Sequence, residues 1–261
     1  MTKNTKGITI IVGCIIFLIL VSSIRWYILD RREYDKDTLC PVKRPIAAHT
    51  VLLVDKTDPL SEVQKEGLHL VIKGIKKRLK QYELFSIYLI TADTVNNPPL
   101  VFSLCNPGND PNPIYENIRN VKKRYDEQFG RPLDAILREL MKGTTSPQSP
   151  ILEVITNIAG APSFSNRLER NLVIFSDLLQ NVSTYSHYGK LADYKEFLKL
   201  SYASTVKTDL SAVTITVHYI ERPRDAQHQG KKHIYFWREY FQDSGSSHVD
   251  FLYVSASPLR L

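Results

Sequence analysis

Apolar residues fall along this chain first in one long uncharged run and then in short β-branched runs that alternate with stretches of helical spacing. From Gly7 to Ile24 there are eighteen residues without a charge, rich in Ile, Val and Leu. As a helix they would extend about 27 Å, the reach of a membrane span. Arg25, Trp26 and Tyr27 follow directly, a cation and an aromatic pair suited to a lipid–water boundary. The run is longer than the apolar part of a cleaved leader, and no small-x-small cleavage site precedes Asp30-Arg31-Arg32-Glu33, so the reading is an uncleaved anchor. The chain then divides into a tail at 1–6, a transmembrane helix at 7–29, a tether at 30–48 and one domain at 49–261.

Within the domain, Thr50 to Val54 is an apolar, β-branched run that ends on Asp55 and a turn-like Lys56-Thr57-Asp58-Pro59, a buried strand with a polar tip. Val63, Leu68, Val71, Ile72, Ile75 and Leu79 then recur near a period of 3.6 and predict an amphipathic helix over 61–81. Leu84 to Thr91 reads as a second strand, and strand, helix, strand at these lengths make a right-handed parallel unit. Leu100 to Leu104 follows after a turn too short for a crossover and should pair antiparallel at an edge. After a Pro-rich loop, helical spacing returns from Arg119 to Met141 and again from Ser149, read as an N-cap with Pro150 at the first helical position, to Ile158. Further strands are expected at Asn171–Phe175, Val213–Ile220 and Val249–Val254, with helices around Leu191–Tyr202 and His233–Phe241. The fold class is α/β: a doubly wound, mostly parallel sheet with one antiparallel edge strand, preceded by the transmembrane helix.

Composition sharpens this picture in two respects. The net charge of +7 is spread among nearly as many carboxylates, and the densest basic stretch, Lys73, Lys76, Lys77, Arg78 and Lys80, has the spacing of a solvated helix face, so nucleic acid is not the expected partner. Cys14 lies in the apolar run, which leaves Cys40 and Cys105 as a candidate disulfide pair near one end of the sheet. A bridge needs an oxidising compartment. Arg25, Arg31, Arg32 and Lys36 behind the apolar run argue for a cytoplasmic domain by the positive-inside rule. Weighing both, the expectation is a single-pass protein of a bacterial inner membrane with its domain on the extracytoplasmic side. The histidines lack zinc-site spacing: His187, and His228 with His233, read as surface residues, and the aromatic group Tyr235, Phe236, Trp237, Tyr240 and Phe241 as core.

The chemistry concentrates at the strand tips, where ligands of open α/β sheets bind. Asp55 and Asp177 each end an apolar strand, and Thr57 and Ser149 add hydroxyls, a set of hard oxygen donors of the kind Mg²⁺ prefers. Through Val51-Leu52-Leu53-Val54-Asp55-Lys56-Thr57 and Leu172-Val173-Ile174-Phe175-Ser176-Asp177, residues 48 to 256 resemble the von Willebrand factor A family. That resemblance implies a metal-ion-dependent adhesion site with Asp55, Thr57, Ser149 and Asp177 as the metal ligands and magnesium as the cofactor. It departs from the family pattern at Pro59, which stands where the first motif has its second serine, and at Leu178, where a glycine often follows the aspartate. The implied function is a membrane-anchored protein–protein interaction module, Mg-dependent where the site is intact, within an envelope or mobile-element-associated assembly. The rival is a Mg-dependent phosphatase-like or other hydrolase using Asp55 as nucleophile. It lacks the second Asp two residues on, which is Thr57 here, and neither a G-x-S-x-G elbow nor a cysteine-protease signature is present.

Overall fold

The alternation of apolar runs and amphipathic stretches resolves into a six-stranded sheet whose strands lie in the order 100–105, 84–90, 48–55, 169–176, 213–220 and 248–254. The computed structural model describes residues 3–29, 34–92, 97–110, 117–189 and 193–255. In chain order the elements are helix α1 (Lys3–Leu29), strand β1 (Ala48–Asp55), α2 (Glu62–Arg78), β2 (Leu84–Ile90), β3 (Leu100–Cys105), α3 (Ile118–Tyr125), α4 (Arg131–Leu140), α5 (Ile151–Gly160), α6 (Pro162–Ser165), β4 (Glu169–Ser176), a two-stranded ribbon of β5 (Asn181–Val182) and β6 (Tyr185–Ser186), α7 (Tyr194–Phe197), α8 (Ser201–Thr205), β7 (Val213–Ile220), α9 (Lys231–Asp243) and β8 (His248–Val254). Among the described residues, only the β2–β3 pairing in the large sheet is antiparallel.

The central strand β1 shows why the sheet is covered on both faces. Val51 and Leu53 point to one side and join a core with α5, α6 and α9, while Leu52 and Val54 point to the other and join a core with α2 and α4. Strands that bury both faces carry unbroken apolar runs, as β1 and β4 do. Each such side chain removed from water contributes roughly 1.5–3 kcal/mol. Helix α2 starts on a capping box, with Gln64 N–H donating to Ser61 Oγ at 3.3 Å and the Gln64 side chain returning to the Ser61 N–H at 3.0 Å.

Several expectations change. The helix expected over 119–141 is split by a π turn, Asp126–Gly130, just ahead of Pro132. A proline there has no N–H for the carbonyl four residues back, and its ring crowds that carbonyl, so the helix widens by one residue; Arg131 N–H reaches back to Asp126 O accordingly. The helix expected across Leu191–Tyr202 is two short pieces, α7 and α8, and Leu191 lies outside the described residues.

The part of the expected tether from Tyr34 to Pro41 docks against the domain: Cys40 is disulfide-bonded to Cys105, Cys105 N–H donates to Thr38 O at 2.9 Å, and Leu39 is buried in the α2-side core. The membrane assignment of 7–29 is also corrected, and with it the single-pass inner-membrane localisation. Among the described residues no helix is long and apolar enough to cross a membrane.

Candidate functional site

Strand order reverses between the parallel neighbours β1 and β4: the strands after β1 build outward to β3 on one side, and those from β4 build outward to β8 on the other. Such a switch point opens a crevice beyond the carboxyl ends of the two strands. Asp55 closes β1 and Asp177 follows the last residue of β4, so the switch point brings the two carboxylates together. Val54 is opposite Phe175 in the ladder, which places Ser176 beside Asp55.

Asp55 is 1% exposed and saturated: its Oδ1 accepts from Thr57 N–H at 3.0 Å and from Thr57 Oγ1 at 2.6 Å, and its Oδ2 accepts from Ser176 Oγ at 2.6 Å. Thr57 Oγ1 lies 3.4 Å from Ser149 Oγ, so all four residues expected at the site gather at one place. Ser149 does so for a reason its expected capping role hides. It does not cap α5; its backbone pairs with Asn181 in both directions, at 2.8 and 3.0 Å. The first-turn N–H of Leu152 is taken instead by Oε1 of the buried Gln180 at 2.9 Å, leaving the Ser149 hydroxyl aimed at the cluster.

Asp177 is 2% exposed, and its Oδ1 accepts from Leu179 N–H at 3.0 Å. Its Oδ2 accepts from Arg222 Nε at 2.8 Å. Arg222 stands two residues beyond β7, the next strand along, and is 7% exposed. Its Nη1 donates to the carbonyl of Pro59 at 2.8 Å and lies 3.4 Å from Gln64 Oε1, while its Nη2 is buried with no hydrogen-bond partner. Burial, and then repulsion from Asp55, push the Asp177 carboxyl above the usual carboxylate range, and the Arg222 guanidinium opposes both.

Beside the cluster, a cavity of about 570 Å³ is lined by Lys56, Leu89, Val101, Ile136 and Leu140 with Thr144, Thr145 and Ser146 at its side. Lys56 Nζ donates to the carbonyls of Leu140 and Lys142, and burial pulls its ammonium below the usual lysine range. The 141–149 loop is further tied to the β1 tip by Ser146 N–H to Thr57 O at 2.8 Å.

These residues do not fit a magnesium ion. A magnesium site needs free oxygen donors and few cations. Here Asp55 is already met by three donors, Asp177 is ion-paired, and the carbonyl at Pro59 is occupied by a guanidinium. The atom left without a partner in the cluster is an N–H donor, which repels a cation. Among the described residues there is also no cluster of three or more His, Cys, Asp or Glu able to hold a metal.

A nucleophilic Asp55 would have to present an oxygen to substrate, whereas both of its oxygens are buried and accept hydrogen bonds. Arg222 is the residue that sequence reasoning missed. The available signal was its position just past the apolar Val213–Ile220 run, the tip of the strand next to Asp177.

The loop after Asp177 is held from below. Leu178, at the position where the family often has glycine, has φ +58°, the left-handed region that costs a non-glycine residue roughly 1–2 kcal/mol. Its N–H donates to Ser176 Oγ at 2.8 Å and its carbonyl accepts from Trp237 Nε1 at 2.9 Å. His187 and His233 complete this support. Both were expected at the surface and both are buried, His187 Nδ1 lying 3.0 Å from His233 Nε2 and His233 Nδ1 lying 2.8 Å from the Tyr219 hydroxyl. The aromatic spacing of α9 buries Phe236, Trp237, Tyr240 and Phe241 over them, while Tyr235 faces solvent.

Burial lowers His233 from 6.5 to about 4, and it lowers His187 well below its ordinary value, with His233 adding repulsion. A depressed histidine folds in the neutral form, so the unfolded chain binds more protons below pH 6.5. Stability from these rings is therefore complete above about pH 6.5 and falls as pH drops toward 4. At pH 5 the loss from His233 alone is about 2 kcal/mol by the linkage relation. Denaturant unfolding at pH 7.5 and pH 5 checks this, and a midpoint that does not fall at the lower pH contradicts it.

No family model matches the chain, and a search of curated proteins finds no match. Among solved structures, the chain is similar to the SpRpn10 VWA domain, with 14% identity over 82% of this chain and 90% of that one at a TM-score of 0.38. It is similar to the ArnB paralog VWA2 from Sulfolobus acidocaldarius, with 12% identity over 82% of this chain and 44% of that one at 0.41. It is similar as well to the conserved hypothetical protein BatB from Bacteroides thetaiotaomicron, with 11% identity over 81% and 92% at 0.39. At those TM-scores none carries a statement about this chain's function.

Proposed function

We propose that this chain is a protein-binding module of von Willebrand factor A type that engages its partner with the strand-tip face of the sheet. The observation that carries this reading is the convergence of Asp55, Thr57, Ser149 and Asp177, from three separate segments, on the switch point between β1 and β4. The strand order, with a single antiparallel edge strand, supports the family assignment independently of any one motif residue. Rigid elements carrying loops at one end are the usual platform for recognition. The cluster presents no exposed nucleophile or base, so the output is binding and not turnover.

Two single substitutions of equal charge test the face. Thr145→Arg adds a cation at the strand-tip end, beside the cavity, and Asn166→Arg adds one at the opposite end, where β4 begins; both positions are exposed. With the full chain as bait, a partner held by wild type and by Asn166→Arg but lost with Thr145→Arg is the expected result. Equal retention by both variants contradicts the assignment of the face.

A further inference from the structure

The strand-tip cluster has two buried carboxylates, and the cation paired with one of them, Arg222, belongs to the protein, while the neighbouring Lys56 turns its ammonium to the Leu140 and Lys142 carbonyls. Asp55 and Asp177 are close enough for Asp55 to raise the Asp177 carboxyl. Two like charges at such a place need a positive partner, since an uncompensated buried charge is expensive. In the family that the sequence resembles, a divalent ion meets that need. Here the guanidinium of Arg222 spans from Asp177 Oδ2, through Nε at 2.8 Å, to the carbonyl of Pro59, through Nη1 at 2.8 Å. Pro59 is the residue that stands where the first motif has its second serine. A proline offers no side-chain oxygen to a metal, but its carbonyl accepts from an N–H. The substitution that removes a metal ligand and the arginine that needs an acceptor thus meet at one atom.

We propose that Arg222 is the resident cation of the strand-tip site and takes the place of the divalent metal, so that the site is assembled and held without magnesium. The assignment rests on reading the cluster as a von Willebrand factor A strand-tip site. It goes beyond that reading by naming what supplies the positive charge. Guanidinium suits the place: it is planar, stays charged when buried, and pairs with carboxylates through fixed N–H directions. Its placement also accounts for Gln229. The Gln229 side chain accepts from Arg222 N–H at 2.7 Å and donates to Ile220 O at 2.9 Å, locking the backbone from which the arginine reaches the cluster. The unpartnered Nη2 leaves one donor for an acceptor, and none of the cluster's own groups needs a metal to complete its bonding.

The test is thermal unfolding of the full chain in chelator and in millimolar MgCl₂, because an ion that binds only the folded state raises the midpoint. The wild-type midpoint is expected to be the same in both. Arg222→Gln removes the charge while keeping an amide donor, and is expected to melt lower in chelator and to recover in part with magnesium. Should that variant fail to fold, the double variant Arg222→Met with Asp177→Asn removes both charges together and is expected to fold, insensitive to magnesium, because deleting both partners of a buried pair costs far less than deleting one.

A wild-type midpoint that rises with magnesium overturns the proposal. So does an Arg222→Gln variant as stable as wild type in chelator, and so does a double variant no better folded than the single. A magnesium-dependent wild type would leave the interaction face in place and change only its cation. Failure of the Thr145→Arg mapping with magnesium insensitivity intact would sink the function and leave Arg222 where it is.

Discussion

Replacing Trp237 with alanine is expected to lower the free energy of unfolding by about 3–5 kcal/mol, the usual range for truncating a fully buried tryptophan. Trp237 has no exposed surface and packs its indole against Tyr240, Phe241 and His187, with ring centroids 5.7, 5.7 and 5.8 Å away. Alanine leaves a cavity there, and it also removes one of the two ring N–H groups on the Leu178 carbonyl, the other being His233 Nε2 at 3.0 Å. That carbonyl belongs to a residue in the left-handed region, immediately after Asp177, so the loss is felt at the strand tip as well as in the core. Trp237→Phe separates the two contributions: it keeps most of the volume and loses one hydrogen bond, at about 0.5–1.5 kcal/mol because the Leu178 carbonyl keeps His233 Nε2 at 3.0 Å. Guanidinium unfolding reads both. A loss under about 1.5 kcal/mol for the alanine variant falls outside the range for a packed core position and contradicts the account.

Breaking the Cys40–Cys105 disulfide is the second large effect. The bridge closes a loop of sequence separation 65, and the chain-entropy relation puts its removal at about 4 kcal/mol, within the roughly 2–5 kcal/mol found when native bridges are deleted. There is a local contribution too, because the bridge holds Thr38 O on Cys105 N–H and Leu39 in the core. Cys40→Ser with Cys105→Ser, or reductant on the wild type, is expected to lower the denaturant midpoint and to expose 34–41 to proteolysis. An unfolding midpoint indifferent to reductant contradicts the contribution assigned to the bridge.

Most of the sheet was legible because buried parallel strands write themselves as unbroken apolar runs. Thr50–Val54, Asn171–Phe175 and Val213–Ile220 are such runs, and their alternation with helical spacing leaves little choice of fold class. Asp55 and Asp177 were legible as strand-tip residues because a polar residue closing an apolar strand must lie at its end. What was not legible depended on long-range partners. Ser149 followed by Pro150 looks like a helix start, but Gln180, twenty-eight residues away from Leu152, takes that N–H and releases the hydroxyl. His187 looked like a loop histidine, and only the packing of α9 over the 178–187 turn buries it.

Arg222 was unreadable for a similar reason. One arginine after a strand means nothing until the neighbouring strand is known to end on a buried aspartate. The membrane assignment rested on the uncharged run Gly7–Ile24 and the Arg25, Trp26 and Tyr27 that follow it, and among the described residues no helix is long and apolar enough to cross a membrane.

The central claim, that a protein partner is recognised by the strand-tip face, is tested most directly by amide hydrogen exchange on the full chain with and without its captured partner. The expected result is protection confined to the loops that meet at the switch point, residues 56–61, 144–149, 177–181 and 222–229, with the opposite end, residues 160–168 and 209–212, exchanging as in the free chain. Protection at the opposite end, with the strand-tip loops unchanged, would contradict the claim.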